Sequence, residues 1–199
     1  IGSNVKSIGE SAFSYCSSLL GVDLPSGLTS LGANAFDGCS SLAAITIPSG
    51  ITELAHDVFY GTAISEIVIP DNITKIGSLA FGNCNNLTDV TIGKNVKSIV
   101  ADAFYQSYNI RTLTWNATHC EPYSFGTLEE VVFGDHLDSI PDDICSNESH
   151  LYSVTFGPNV KSIGSSAFSY CTSLTEIDWP AGLTSLGASA FEGCSNLTA

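Results

Sequence analysis

The 199-residue chain has no methionine, two tryptophans and only six lysines and arginines. With no methionine and a start at Ile1, the numbering is expected to begin inside a longer or processed product. Against the six positive charges stand 20 aspartates and glutamates, a formal net charge of −14. A surface of that sign repels phosphate backbones, which argues against nucleic acid as a partner. It suits basic proteins or cations, or serves solubility alone. No apolar run approaches the roughly 18 residues needed to cross a bilayer, and no signal-peptide pattern opens the chain. The seven cysteines include no Cys-x-x-Cys pair, so the usual zinc spacing is missing. Neither a Gly-x-Ser-x-Gly elbow nor a phosphate-binding loop is present. No catalytic, cofactor-binding or metal-ligating set emerges, and the chain reads as a non-enzyme without a cofactor.

What the chain has instead is a period. Ala-Phe followed three residues later by Cys stands at Ala12-Phe13…Cys16, Ala35-Phe36…Cys39, Ala80-Phe81…Cys84, Ala167-Phe168…Cys171 and Ala190-Phe191…Cys194. Degenerate copies sit at Val58-Phe59, Ala103-Phe104, Ser124-Phe125 and Asp143-Ile144. Successive markers lie 23, 23, 22, 23, 21, 19, 24 and 23 residues apart. Within each period an apolar alternation such as Val90-Thr91-Ile92-Gly93 predicts a short strand with a Pro or Gly stop. A second apolar segment such as Ile73-Thr74-Lys75-Ile76-Gly77 leads into the Ala-Phe marker, where a short helical turn would tuck the Phe inward. One coil buries too few side chains to offset the entropy of fixing its backbone, so coils must stack on both neighbours.

The run from Ile69-Pro70 through Ile76-Gly77, Ala80-Phe81 and Cys84 to Leu87 and Val90 resembles the BspA-like class of leucine-rich repeats, and the resemblance covers essentially the whole chain. The expected fold is a single leucine-rich-repeat solenoid over residues 1–199, a right-handed coil of about eight to nine turns. One short strand per repeat of about 23 residues forms a parallel sheet, the remainder being irregular with short helical turns. The resemblance also implies, by association, secreted or surface-attached adhesion-type proteins of bacteria and some protists. Fold alone does not fix that function.

Residues 116–150 depart from the pattern: Asn116-Ala117-Thr118-His119-Cys120 replaces the second apolar segment, and Asp142-Asp143-Ile144-Cys145 stands in place of an Ala-Phe marker. A kink, a bulge and a binding feature all remain open, and drift in a coil that still stacks is the favoured account. A longer period overlies the first, because residues 157–199 match residues 2–44 at 31 of 43 positions without a gap. That points to duplication of a 155-residue block. Both ends cut through a coil without a polar cap, so the segment is expected to be a window on a longer array.

The repeated cysteines should stack as buried free thiols. Cys120 and Cys145 lie off that ladder and are the better candidates for a reactive or bridged pair. His119, His136 and His150 fall in the irregular stretch and His56 outside it, at differing repeat positions that disfavour a shared metal. The candidate binding face is the exposed side of the sheet. Strand alternation turns Asp23, Thr46, Glu66, Asp89, Thr91, Thr114, Glu130, Thr155, Glu176 and Asp178 outward. Five Asn-x-Ser/Thr sequons, at Asn72, Asn86, Asn116, Asn147 and Asn196, are candidate N-glycosylation sites if the chain is secreted by a eukaryote. The expected role is an extracellular or cell-surface scaffold for adhesion or protein binding, with basic partners favoured by charge. The alternative is a structural strut or filament component that self-assembles end to end.

Overall fold

The computed structural model describes residues 1–198. Thirteen short strands and no helix form among them. In chain order the strands are β1 (Ser7–Ile8), β2 (Ser30–Leu31), β3 (Glu53–Leu54), β4 (Glu66–Ile69), β5 (Lys75–Ile76), β6 (Asp89–Ile92), β7 (Ser98–Ile99), β8 (Thr112–Trp115), β9 (Glu130–Phe133), β10 (Ser139–Ile140), β11 (Ser153–Thr155), β12 (Ser162–Ile163) and β13 (Ser185–Leu186). Every pairing is parallel. The chain is a solenoid with two rails of strands.

The first rail is the expected one. Strands β4, β6, β8, β9 and β11 pair in that order into one sheet. Their alternation places Ile67, Ile69, Val90, Ile92, Leu113, Trp115, Val131 and Phe133 in the core. Pro70, Gly93 and Gly134 follow the strands and stop them. At Gly93 the coils approach so closely that a Cβ would sit 2.5 Å from the Ile69 carbonyl oxygen, which only glycine permits. The second rail was not expected to be a sheet. The Val-x-x-Ile segments pair too, two residues at a time, as β1-β2, β3-β5-β7 and β10-β12-β13.

The expected helical turn at Ala-Phe is absent, and the reason lies in where the amides go. The residue before the marker Ala or its counterpart adopts positive φ, as at Ser11 (56°), Asn34 (56°), Leu79 (54°) and Ser166 (52°). A second left-handed corner follows the Phe, at Tyr15 (58°), Gly38 (67°), Asn83 (54°) and Tyr170 (59°). Such corners cost roughly 1–2 kcal/mol each for a residue with a side chain. In return the amides point along the solenoid. Phe81 N–H donates to Ala103 O (2.8 Å), and Phe168 N–H donates to Ala190 O (2.8 Å). A helix would have closed those bonds within one coil. Gly38 is doubly constrained, since a Cβ there would also meet the Tyr15 ring at 2.6 Å.

Behind the corners, Phe13, Phe36, Phe59, Phe81 and Phe104 stack in a file with ring centroids 5.2, 5.8, 5.5 and 5.4 Å apart. The cysteine ladder runs beside this file. Cys39, Cys84 and Cys194 turn their thiols onto the carbonyls of Phe13, Phe59 and Phe168 at 3.1, 3.2 and 3.0 Å. Ser107 fills the same slot and donates to Phe81 O (2.7 Å). All seven cysteines are free, and only Cys16 in the first coil is exposed.

Two expectations about cysteine are corrected here. Cys120 and Cys145 are not bridged to each other. Burial pushes the Cys120 thiol up to about 11 and the Cys145 thiol well above its ordinary value, so neither is a ready thiolate near neutral pH. Nor does Ile144 stand in the Phe position. The positive φ falls at Asp143 (56°), and Cys145 N–H donates to Ala167 O (2.8 Å), the bond a Phe makes elsewhere. Ile144 therefore takes the Ala slot, Cys145 the Phe slot and Glu148 the ladder slot of Cys171.

The coil between β8 and β9 is the short one. Its strands pair Trp115 with Phe133, 18 residues apart, where neighbouring pairs are 23 apart, as Ile92 with Trp115. The first rail runs on through it without a break, so the coil does stack, as favoured from sequence. The second rail does not: β7 pairs only with β5, and β10 only with β12. One rung is missing.

Candidate binding surfaces

The outer face of the five-stranded sheet is ordered by register into two rows. Glu66, Asp89, Thr112, Glu130 and Ser153 are mutual partners across the strands, and Val68, Thr91, Thr114, Val132 and Thr155 form the second row. All point away from the core, and Val68 is 62% exposed. Two of the carboxylates are oriented by neighbours. Tyr152 Oη donates to Glu130 Oε1 (2.8 Å), and Thr88 Oγ1 donates to Asp89 Oδ2 (2.6 Å). Beside the face, Arg111 Nε pairs with Glu129 Oε1 at 2.9 Å.

The structure gathers only part of the expected face. Glu66, Asp89, Thr91, Thr114, Glu130 and Thr155 lie together on the sheet. Asp23, Thr46, Glu176 and Asp178 are exposed but lie on segments that form no strand. At the far end the coils part, leaving a crevice of about 420 Å³ between Tyr152–Val154 and Glu176–Asp178. Alternation alone reports which way a side chain points, whereas pairing also requires the neighbouring backbone to come within bonding distance.

The missing rung opens a second surface. A cleft of about 1310 Å³ lies between residues 117–124 of the short coil and residues 136–147 of the next. Its walls carry Glu121, Asp138, Asp142 and Asp143, with no lysine or arginine. His119, His136 and Cys120 also line it, while His56 and His150 do not. His136 Nε2 is 2.9 Å from Asn116 O and His119 Nδ1 is 2.7 Å from Thr118 Oγ1, so both rings are engaged locally. Among the described residues no three His, Cys, Asp or Glu side chains assemble as a metal site.

Glu148 supports the cleft from behind. It is 1% exposed, and its carboxylate accepts the amides of Phe125 (3.1 Å) and Gly126 (2.6 Å) on Oε1 and of Leu128 (3.0 Å) on Oε2. The shortened coil has no partner coil for those donors, and the glutamate supplies the acceptors. Burial pushes its carboxyl above the usual glutamate value even though the three amides pull it down. Pro141 is the complementary device on the opposite wall. Elsewhere its slot holds a residue whose amide reaches the preceding coil: Gly164 N–H donates to Ile140 O (2.9 Å) and Gly187 N–H to Ile163 O (2.7 Å). With the preceding rung missing, a residue without an N–H leaves no donor stranded. Sequence reasoning passed over both residues. The available signals were a glutamate in a buried cysteine slot and a proline in a glycine slot.

Among the sequons, Asn72 donates to Pro48 O and Ile51 O, Asn116 to Ile92 O and Asn196 to Thr172 O, so their amides stitch one coil to the previous one. Asn147 donates to Ser146 Oγ (3.0 Å). Asn86 is exposed, and its side chain makes no hydrogen bond among the described residues. No helix among these residues is long and apolar enough to cross a membrane.

A two-railed parallel solenoid with a 23-residue register and stacked Phe and Cys ladders is a leucine-rich-repeat architecture. The sequence matches the BspA type leucine rich repeat region in six copies, over residues 6–127 and 121–199. The chain belongs to that family. Its fold is similar to that of a leucine-rich repeat protein of T. pallidum, with a TM-score of 0.56 and 24% identity, covering 98% of this chain and 72% of that one. A leucine-rich repeat protein of Bacteroides ovatus is 24% identical with a TM-score of 0.46, covering 100% and 76% of the two chains. A leucine rich cell surface protein of Faecalibacterium prausnitzii is 23% identical with a TM-score of 0.46, covering 96% and 61%. No curated protein matches the sequence.

Proposed function

We propose that this chain is a non-catalytic binding scaffold of the cell surface or extracellular space, and that it meets a basic protein partner through the outer face of its five-stranded sheet. The observation that carries this reading is the register row Glu66–Asp89–Thr112–Glu130–Ser153, which sets three carboxylates on one sheet face backed by a buried core. A sheet with no large exposed aromatic on its strands favours an extended, charge-steered contact over a deep hot spot. Family membership supports the surface location.

Charge reversal tests the face. The triple variant Glu66→Lys/Asp89→Lys/Glu130→Lys is expected to lose about tenfold or more in retention on an immobilised polylysine surface at low salt, with its thermal midpoint little changed. Retention equal to that of the parent chain would refute the assignment. On the same reading Asn86 is the sequon open to a glycan. The chain from its native source should then lose mass on enzymatic N-glycan removal, and Asn86→Gln should abolish that loss. A mass indifferent to the enzyme would remove this part of the proposal.

A further inference from the structure

The cleft beside the short coil goes beyond the sheet-face reading and does not rest on it. We propose that it is a binding site for an extended peptide segment carrying lysine or arginine, which lies in the place of the missing rung. Three independent features converge there.

The first is backbone geometry. Strand β10 has a partner on one side only, and its free edge forms a wall of the cleft. In the regular coils this edge is where a rung bonds to the one before it, as Lys161 N–H does to Asp138 O (2.8 Å) and Thr184 N–H to Lys161 O (2.8 Å). At β10 the equivalent groups of Asp138 and Ser139 face an open cleft. An extended chain placed there finds main-chain partners at strand spacing, the geometry of strand addition. Pro141 removes the next donor along the edge, so the pairing is short and the edge does not invite indefinite sheet growth.

The second feature is charge. Glu121 stands on one wall and Asp138 and Asp143 on the other, and no cationic side chain lines the cleft. The side chains of Glu121, Asp138 and Asp143 make no hydrogen bond or ion pair among the described residues, in contrast to Asp142, which accepts Ser165 N–H (2.6 Å). An occupant with alternating basic side chains meets carboxylates on both walls while its backbone pairs with β10.

The third feature is shape held in advance. Glu148 fixes the Phe125–Leu128 turn through three amides, and the continuous first rail fixes the spacing of the coils on the other side. A wall ordered before binding reduces the entropy lost on association. The volume of about 1310 Å³ exceeds the roughly 300–1,000 Å³ typical of small-molecule pockets, in keeping with a chain segment as occupant.

The test uses the full chain and a fluorescein-labelled ten-residue peptide of alternating Lys and Thr, followed by fluorescence anisotropy. The expected result is saturable binding that weakens at least about tenfold in Glu121→Gln/Asp138→Asn. The same loss is expected when alternate peptide nitrogens of the probe are methylated. The sheet-face variant Glu66→Lys/Asp89→Lys/Glu130→Lys should retain the saturable phase. Because Gln and Asn keep side-chain size and neither carboxylate is bonded, an unchanged thermal midpoint separates a binding loss from misfolding. Equal affinity for the methylated peptide would overturn the strand-addition site. Loss of binding in the sheet-face variant alone, or no saturable phase at all, would overturn the cleft as the site.

Discussion

Replacing Glu148 with alanine is expected to destabilise the protein by about 3–5 kcal/mol, a large effect for a residue outside the repeat consensus. The side chain is 1% exposed and is the acceptor for the amides of Phe125, Gly126 and Leu128. Truncation leaves three donors in a wall with little water access, and each buried unsatisfied group costs about 1–3 kcal/mol. Hydrogen exchange should show the amides at 125–128 losing protection before any others. A loss under about 1 kcal/mol, with those amides still protected, would mean that the turn holds itself.

The pH dependence follows from the same carboxyl. Burial raises its folded value, so ionisation is penalised in the folded state more than in the unfolded chain. The resulting stability is fully present below the unfolded glutamate value of about 4.3 and is lost as pH rises through the higher folded value. The thermal midpoint is therefore expected to be higher at pH 5 than at pH 8, with a smaller difference in Glu148→Gln. An identical pH slope in the two proteins would assign the dependence elsewhere, for instance to relief of the net charge of −14.

The second large effect is expected at Phe81. Phe81→Ala should cost about 3–5 kcal/mol, because the ring is fully buried between Phe59 and Phe104, at centroid distances of 5.5 and 5.4 Å. Phe13→Ala should cost less than half as much, since Phe13 is only half-buried and stacks on one ring, Phe36. The comparison measures how stability is distributed in a molecule whose coils contact only their neighbours. Denaturant unfolding of Phe81→Ala is expected to broaden or split as the coils on either side of the gap uncouple. Equal losses at the two positions would show that the Phe file acts as one unit.

The inward set was legible in sequence because strand alternation is a direct record of burial: Ile67, Val90, Leu113 and Val131 were placed correctly from their spacing alone. The second rail was not legible, because a two-residue strand such as Ser98–Ile99 is too short to show alternation. The left-handed corners were hidden for a different reason. Serine, asparagine, aspartate, leucine and tyrosine all occupy them, and glycine marks the site only at Gly38, Gly61 and Gly193. Ile144 was misplaced by one residue because its apolar side chain resembles the marker Phe, whereas the backbone puts Cys145 there. The cleft was beyond reach from spacing. A coil shortened by several residues can close up on both rails or on one, and only the contacts of Glu148 and Pro141 decide between them.

The inter-coil bonds of the ladders join like positions one repeat apart, as Ser30 joins Ser7 and Ser185 joins Ser162. A whole turn copied into or cut out of such a molecule would give its new neighbours the same partners that the old ones had. An insertion of any other length would put mismatched slots against each other. Length is thus a nearly neutral variable in this architecture while phase is not, so lineages of such proteins can grow or shrink in whole turns without redesigning their interior.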